Sequence, residues 1–296
     1  MYDQPSFVLA LILIGVIGIP ATTSVMLYRG ALAAGLTRRK ALGVAAVAAN
    51  LLGGWIVASG FLARSGVYAD DSGETTPWFG LAFVGALTTL LLVTAIPVAS
   101  RILADPATTA RLAIPHTFRI VGILFLIAMV LGDLPAVFAL PAGLGDIAIG
   151  VSAPFVARRL AREQDYEGAV RFNLLGIIDL VVALTIGFLA GLGPWRLLDV
   201  TPSTDALALL PLALVPTTAV PLSIALHIVS LRRLRDAIRA PGAELETPSA
   251  TTPVPVSTAQ TKPEALRDEL KTVFANGPSG ASRGRRSHNG RGRNVQ

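Results

Sequence analysis

Three carboxylates, Asp133, Asp146 and Asp179, stand inside otherwise apolar stretches, and Asn173 and His227 are further polar groups placed where hydrocarbon would surround them. An ionisable group inside a membrane span costs about 2.5–3.5 kcal/mol on insertion scales, so each needs a partner, a water-filled cavity or a task. Carboxylates and an imidazole at successive depths are the parts of a path for protons or a small solute. At a rise of 1.5 Å per residue, Asp179 lies about 12 Å above Arg171, Asp146 about 18 Å above Arg158, Asp133 about 21 Å above Arg119 and His227 about 7 Å above Arg232. If the spans are neighbours, these groups form a ladder. The competing reading is structural: Asp146 and Asp179 pair with Arg119, or hydrogen-bond to Asn50, Asn173 or a helix end, and hold a bundle together. Asp133, close to Pro135, also suits the cap of a short turn.

The helix faces that carry these groups are legible. At 100° per residue, Asn173, Gly176, Asp179, Ala183, Gly187, Ala190 and Gly191 share a sector roughly 120° wide. Leu174, Leu175, Ile178, Val181 and Val182 fall outside it, and Leu180 is the exception inside. Asp146, Gly150, Ala153 and Ala157 repeat the pattern one span earlier. Small residues let helices approach closely, so Asp146 and Asp179 are expected to face the bundle and not lipid.

Hydrophobic residues make up 52% of the chain and charged residues 15%. With a mean hydropathy of +0.62, a water-soluble fold would have to expose a large apolar surface. The expected fold is therefore all-α: a polytopic transmembrane helical bundle over residues 1–240. A hydrocarbon core of roughly 30 Å needs about 20 helical residues, which places spans near 6–28, 41–63, 78–100, 116–133, 140–157, 170–191 and 206–230. The first span is too long for the apolar core of a signal peptide and no Lys or Arg precedes it, so it is read as retained.

Basic residues fall on alternate connections: Arg29, Arg38, Arg39 and Lys40; Arg101 and Arg111; Arg158, Arg159, Arg162 and Arg171; then Arg232, Arg233, Arg235 and Arg239. The opposite side holds Arg64 and Arg196 among Asp3, Asp70, Asp71, Glu74, Asp199 and Asp205. The positive-inside rule then puts the N-terminus outside and the C-terminus in the cytoplasm. Residues 116–157 are the doubtful region, because Gly132, Pro135, Pro141 and Gly143 interrupt it and leave two short spans. A re-entrant hairpin there, leaving five spans, is the alternative. Pro211, Pro216 and Pro221 similarly interrupt the last span, and broken helices often frame transporter sites.

After Ala240 the composition turns to Pro, Thr and Ser, which predicts a disordered cytoplasmic tail over 241–296. Within it, Leu266, Leu270, Val273 and Phe274 mark a short amphipathic helix near 263–275. The tail ends in Arg283, Arg285, Arg286, Arg291 and Arg293, suited to anionic lipid head groups or to a protein partner. Nucleic acid is disfavoured because no aromatic residue is interleaved to stack on bases.

No cysteine is present, which excludes disulfides and thiolate chemistry, and the three histidines lack the spacing of a metal site. Neither a metal nor an organic cofactor is expected. The last span contains no Lys for a retinal Schiff base, and the Walker A, G-x-S-x-G and H-E-x-x-H motifs are all missing. The stretch F-A-L-P-A-G-x-G-D at 138–146 has the look of a motif without an attached activity. An intramembrane enzyme built on carboxylates and His116 or His227 ranks last; the chain is expected not to be an enzyme. The leading reading is a small-solute or proton-linked permease in a bacterial plasma membrane, using Asp146 and Asp179. The alternative is a non-transporting anchor or sensor that binds through its tail.

Overall fold

A computed structural model describes residues 6–69, 75–192 and 196–243. Seven of its helical segments are long and apolar enough to cross a membrane: Ser6–Ala33, Arg38–Arg64, Pro77–Ala95, Pro106–Val130, Ala136–Glu163, Tyr166–Gly191 and Val215–Arg239. Among the described residues there is no strand beyond one bridge between Ala69 and Thr75. The amphipathic segment 263–275 and the five tail arginines lie outside the described residues.

Helix α1 (Ser6–Ala33) buries Val8, Ile12, Val16, Ile19 and Met26, a stripe at spacings of three and four. Phe7, Leu9, Ile14, Ile17 and Val25 point away from the bundle. Apolar residues on both faces of a helix are what a lipid-exposed span requires. Helix α2 (Arg38–Arg64) packs along α1 and α3 (Pro77–Ala95) along the last helix, and both leave most of their apolar side chains uncovered. The expected third span ran to residue 100, but α3 stops at Ala95. Pro97 forces Ile96 into an extended conformation (φ −61°, ψ 134°), and a separate helix, α4 (Pro97–Leu103), starts beyond it.

The fourth span departs most from expectation. It begins about ten residues earlier than predicted, with α5 (Pro106–Arg111) capped by Asp105, whose carboxylate accepts from the Thr108 amide. It then tightens into a nine-residue 3₁₀ segment, Ile114–Gly122, before relaxing into α6 (Ile123–Val130). Three residues per turn align positions i, i+3 and i+6. His116, Arg119 and Gly122 therefore lie on one buried line, where α-helical winding would have fanned them across about 120°. Phe118 and Val121 form a second line toward α1, where Gly18 and Gly15 leave room for them.

Gly132, with φ +83°, ends α6: the Asp133 amide donates back to the Ala128 carbonyl (2.8 Å) and the Gly132 amide to Met129 (3.0 Å). Helix α7 (Ala136–Glu163) follows as one continuous 28-residue element with Pro141 and Pro154 inside it. At about 42 Å it is not the short span starting near 140 that its prolines and glycines suggested.

Helix α8 (Tyr166–Gly187) opens on an Asp165 cap, its carboxylate accepting from the Gly168 amide at 2.8 Å, and runs into a π turn at Phe188–Leu192. The last span begins later than expected. Residues around Pro211 form turns, a π turn occupies Val215–Ala219, and α9 (Val220–Ala243) continues past the point where the linker was predicted to start. It is also the most buried of the seven, packed chiefly against α8 and α3.

Candidate functional site

Arg119 is the centre of the bundle's charge. Its side chain is 3% exposed, and the 3₁₀ winding aims it between α7, α8 and α9. Its Nε donates to Asp146 Oδ1 at 2.6 Å and its Nη2 donates to Asp179 Oδ2. The carboxylates themselves are 15% and 14% exposed, so water shields this triad little. The remaining nitrogen, Nη1, lies 3.1 Å from His227 Nε2 and 3.5 Å from the Gly176 carbonyl.

A guanidinium can only donate, so His227 Nε2 must accept and the ring carries its proton on Nδ1. That proton is donated to Asn173 Oδ1 at 2.9 Å. The Asn173 amide in turn donates to Ser230 Oγ (3.0 Å) and to the Ala169 carbonyl (2.7 Å). The tautomer of His227 is thus dictated by Arg119, and a directional chain of hydrogen bonds runs from the 3₁₀ segment to His227 on α9, on to Asn173 on α8 and back to Ser230 on α9.

His116 lies parallel on His227, with ring centroids 3.8 Å apart and planes 14° from parallel, and Phe172 meets both rings at 5.5–5.8 Å. Both nitrogens of His116 are buried without a hydrogen-bond partner.

Glycines make this convergence possible. A Cβ at Gly122 would strike Asp146, one at Gly145 the Asp179 carboxylate, one at Gly176 the His227 ring, and one at Gly150 the backbone of Ile120. The small faces expected on the fifth and sixth spans therefore serve a particular end, which is to admit charged side chains between helix backbones. Gly176, Gly150, Ala153 and Ala157 are buried as the periodicity suggests, and Leu174, Leu175, Ile178 and Val181 face outward.

Two small cavities flank the cluster. One, of about 40 Å³, touches Asp146 and Asp179 and is otherwise walled by apolar groups such as Phe125, Phe138 and Leu207. The other, of about 30 Å³, touches Arg119, Asp146 and Ser223. Each has room for a water molecule or two.

Of the residues singled out in the sequence, the structure brings Asp146, Asp179, Asn173, His227 and Arg119 together. They do not form a ladder: three of its four rungs meet around one guanidinium. Heights counted along each helix assumed a common starting edge, whereas Arg119, taken as one such edge, is itself buried at the centre of the cluster. Asp133 sits apart, in the turn between α6 and α7. Asn50 is also apart, on the exposed side of α2, its amide donating to the Ala46 carbonyl at 2.8 Å. The pairing of His116 with His227 and the part played by the Gly176 carbonyl were not anticipated. A Pro at position 115 beside a histidine was the available signal, but nothing in the sequence specifies a 3₁₀ run of that length.

Fold and site together define a multi-span helical protein, compatible with integration in a lipid bilayer, that keeps an arginine–dicarboxylate–histidine cluster in its interior. Residues 76–235, more than half of the chain, match the family described as a domain of unknown function (DUF8737), and the chain belongs to that family. The matched stretch runs from the start of α3 to near the end of α9 and contains every member of the cluster. No curated protein and no solved structure matches the chain.

Proposed function

We propose that the protein is a proton-linked carrier of the bacterial plasma membrane, in which Asp146 and Asp179, organised by Arg119, bind the coupling proton. The observation that carries this reading is an imbalance in the cluster: one guanidinium stands against two carboxylates. A pin between helices needs one carboxylate per arginine. A second, in a site this dry, leaves a negative charge whose burial is costly unless a cation joins it. The size of the flanking cavities favours a small cation over an organic solute. Pockets for organic ligands run to about 300–1,000 Å³, and cavities of about 40 and 30 Å³ suit a proton and water.

The alternating basic connections orient the carrier with its N-terminus outside and the ends of α7 and α9 in the cytoplasm. The test is proton flux into proteoliposomes under an imposed gradient, comparing the native chain with Asp179→Asn and Asp146→Asn. Loss of flux in folded variants supports the reading; undiminished flux in Asp179→Asn, or no flux in the native protein, overturns it.

The engagement of both carboxylates by Arg119 favours a second reading, a static clamp in a non-transporting anchor. In that case the native protein carries no proton, and neutralising a carboxylate changes stability alone.

A further inference from the structure

A larger cavity lies away from the Arg119 cluster, at the basic end of the bundle. It measures about 710 Å³, is partly open, and is bordered by Ala104, α5, the last turns of α7, the start of α8 and the end of α9. Four arginines, Arg111, Arg158, Arg162 and Arg233, reach its wall, together with Thr109 and Tyr166. The acidic side chain on that wall is Asp236, which is 68% exposed and 3.8 Å from Arg233. Among the described residues, four positive charges thus face one negative charge that is largely in solvent.

The arginines around this cavity differ from their neighbours. Arg159 pairs with Glu163 and Asp165 at 3.4 and 3.3 Å, and Arg171 pairs with Glu167, and none of these residues borders the cavity. Arg158 and Arg162, one helical turn apart on α7, have no acidic partner among the described residues. Arg111 is the most telling. Its Nη1 is buried without a hydrogen-bond partner, although a buried donor on a charged group is among the costlier atoms to leave unpaired. Arg233 is already fixed in place, its Nη2 donating to the Ser100 carbonyl and hydroxyl at 3.1 Å each.

We propose that this cavity binds a phosphate-bearing anion, with the buried Nη1 of Arg111 as the anchor and Arg158, Arg162 and Arg233 around the remaining oxygens. Guanidinium forks match phosphate oxygens two at a time, and basic pockets between spans at a membrane surface are where anionic head groups are held. The volume exceeds a bare phosphate and accommodates an ester. The phosphate belongs to a lipid head group or to a soluble compound, two sources with the same recognition chemistry. This site is independent of the proposed proton site.

The test uses the full chain in phosphatidylcholine nanodiscs and follows its thermal unfolding midpoint. Inorganic phosphate is titrated in one arm, and phosphatidic acid replaces part of the lipid in the other. A saturable rise in the first arm assigns a soluble phosphate, and a rise confined to the second assigns a head group. Either rise should need roughly tenfold more ligand in Arg111→Gln and in the exposed pair Arg158→Gln/Arg162→Gln, and should be unchanged in Arg159→Gln/Arg171→Gln. If Arg111→Gln does not fold, the exposed pair carries the comparison. No rise in either arm, or an equal rise in all variants, overturns the proposal.

Discussion

Two buried polar networks tie this bundle together, and they are built on opposite principles. Around Thr217, in the π turn that opens the last span, every member is neutral. Trp55 Nε1 donates to the Thr217 carbonyl at 2.8 Å, Ser59 Oγ lies 2.7 Å from Thr217 Oγ1, and Tyr68 OH lies 3.1 Å from Ser59 Oγ. The Thr217 hydroxyl also donates to the Ala213 carbonyl at 2.6 Å. Ser59 and Thr217 are fully buried and each has a partner, so this network can fasten α2 and the connection after it to the π turn that precedes α9 without holding any net charge. Around Arg119 the members are charged and unequal in sign. It also differs in its relation to the family: the charged cluster lies wholly within the matched stretch, whereas Trp55, Ser59 and Tyr68 precede it. Fastening helices requires only matched neutral partners. A surplus carboxylate beside a water-sized cavity is difficult to explain as fastening, and that contrast is the reason for reading the second network as a site.

The contrast can be broken most severely at Arg119. Replacing it with Leu leaves two carboxylates facing each other in an apolar interior, and a loss of about 3–5 kcal/mol is expected, measured by denaturant unfolding in mixed micelles. Adding Asp146→Asn and Asp179→Asn to that background should restore part of the loss. If Arg119→Leu alone is no more damaging than Ser59→Ala, the charged network is no more demanding than the neutral one and the comparison fails.

Next in size are the glycines. Gly145→Ala and Gly176→Ala put a methyl against the Asp179 carboxylate and the His227 ring, for an expected cost of about 1–3 kcal/mol. Alanine at Gly53 or Gly80, where nothing lies within 4 Å, should be neutral or stabilising in the same assay.

In the neutral network, Ser59→Ala should cost about 1 kcal/mol. The coupling between Ser59 and Thr217 in a double-mutant cycle should fall well below that between Arg119 and Asp179. Tyr68 adds a pH handle, because burial raises its phenol above the ordinary value near 10 while its hydrogen bond with Ser59 pulls the other way. With the folded-state pKa above the unfolded one, the phenol's contribution is complete below pH 10 and is lost as pH climbs through the raised value. An alkaline stability profile that steepens above pH 10 in the native chain, and less so in Tyr68→Phe, is the expected result.

The smallest effect belongs to Asn50. It lies on the exposed side of α2 and away from both networks, and Asn50→Leu should change stability by no more than about 0.5 kcal/mol.

Periodicity made much of this architecture readable. Apolar runs of bilayer length, separated by polar connections, correspond to seven helices long and apolar enough to cross a membrane, with ends that differ by up to about ten residues. Spacing at 100° per residue correctly set Asp146 and Asp179 on inward, small-residue faces. Where boundaries slipped, the causes were local. Pro97 ended α3 early through its effect on Ile96, a signal present in the sequence but outweighed by the continuing apolar run. Pro141 and Pro154 did not end α7, because the carbonyls they leave unpaired are tolerated inside a packed bundle.

What the sequence determined by itself was composition and period: a helical chain suited to lipid, two carboxylates turned inward, and arginines gathered at alternate connections. These follow from side-chain polarity and from the fixed geometry of a helix. Tertiary structure alone decided that Arg119, and not Asn50, would receive both carboxylates, and that His116 would lie on His227. Both depend on the nine-residue 3₁₀ winding of Ile114–Gly122 and on how far the helices slide along one another. Pitch and sliding are set by packing against α1, α7 and α8, by glycines whose value appears only when a neighbouring helix arrives, and so by contacts between residues distant in the chain.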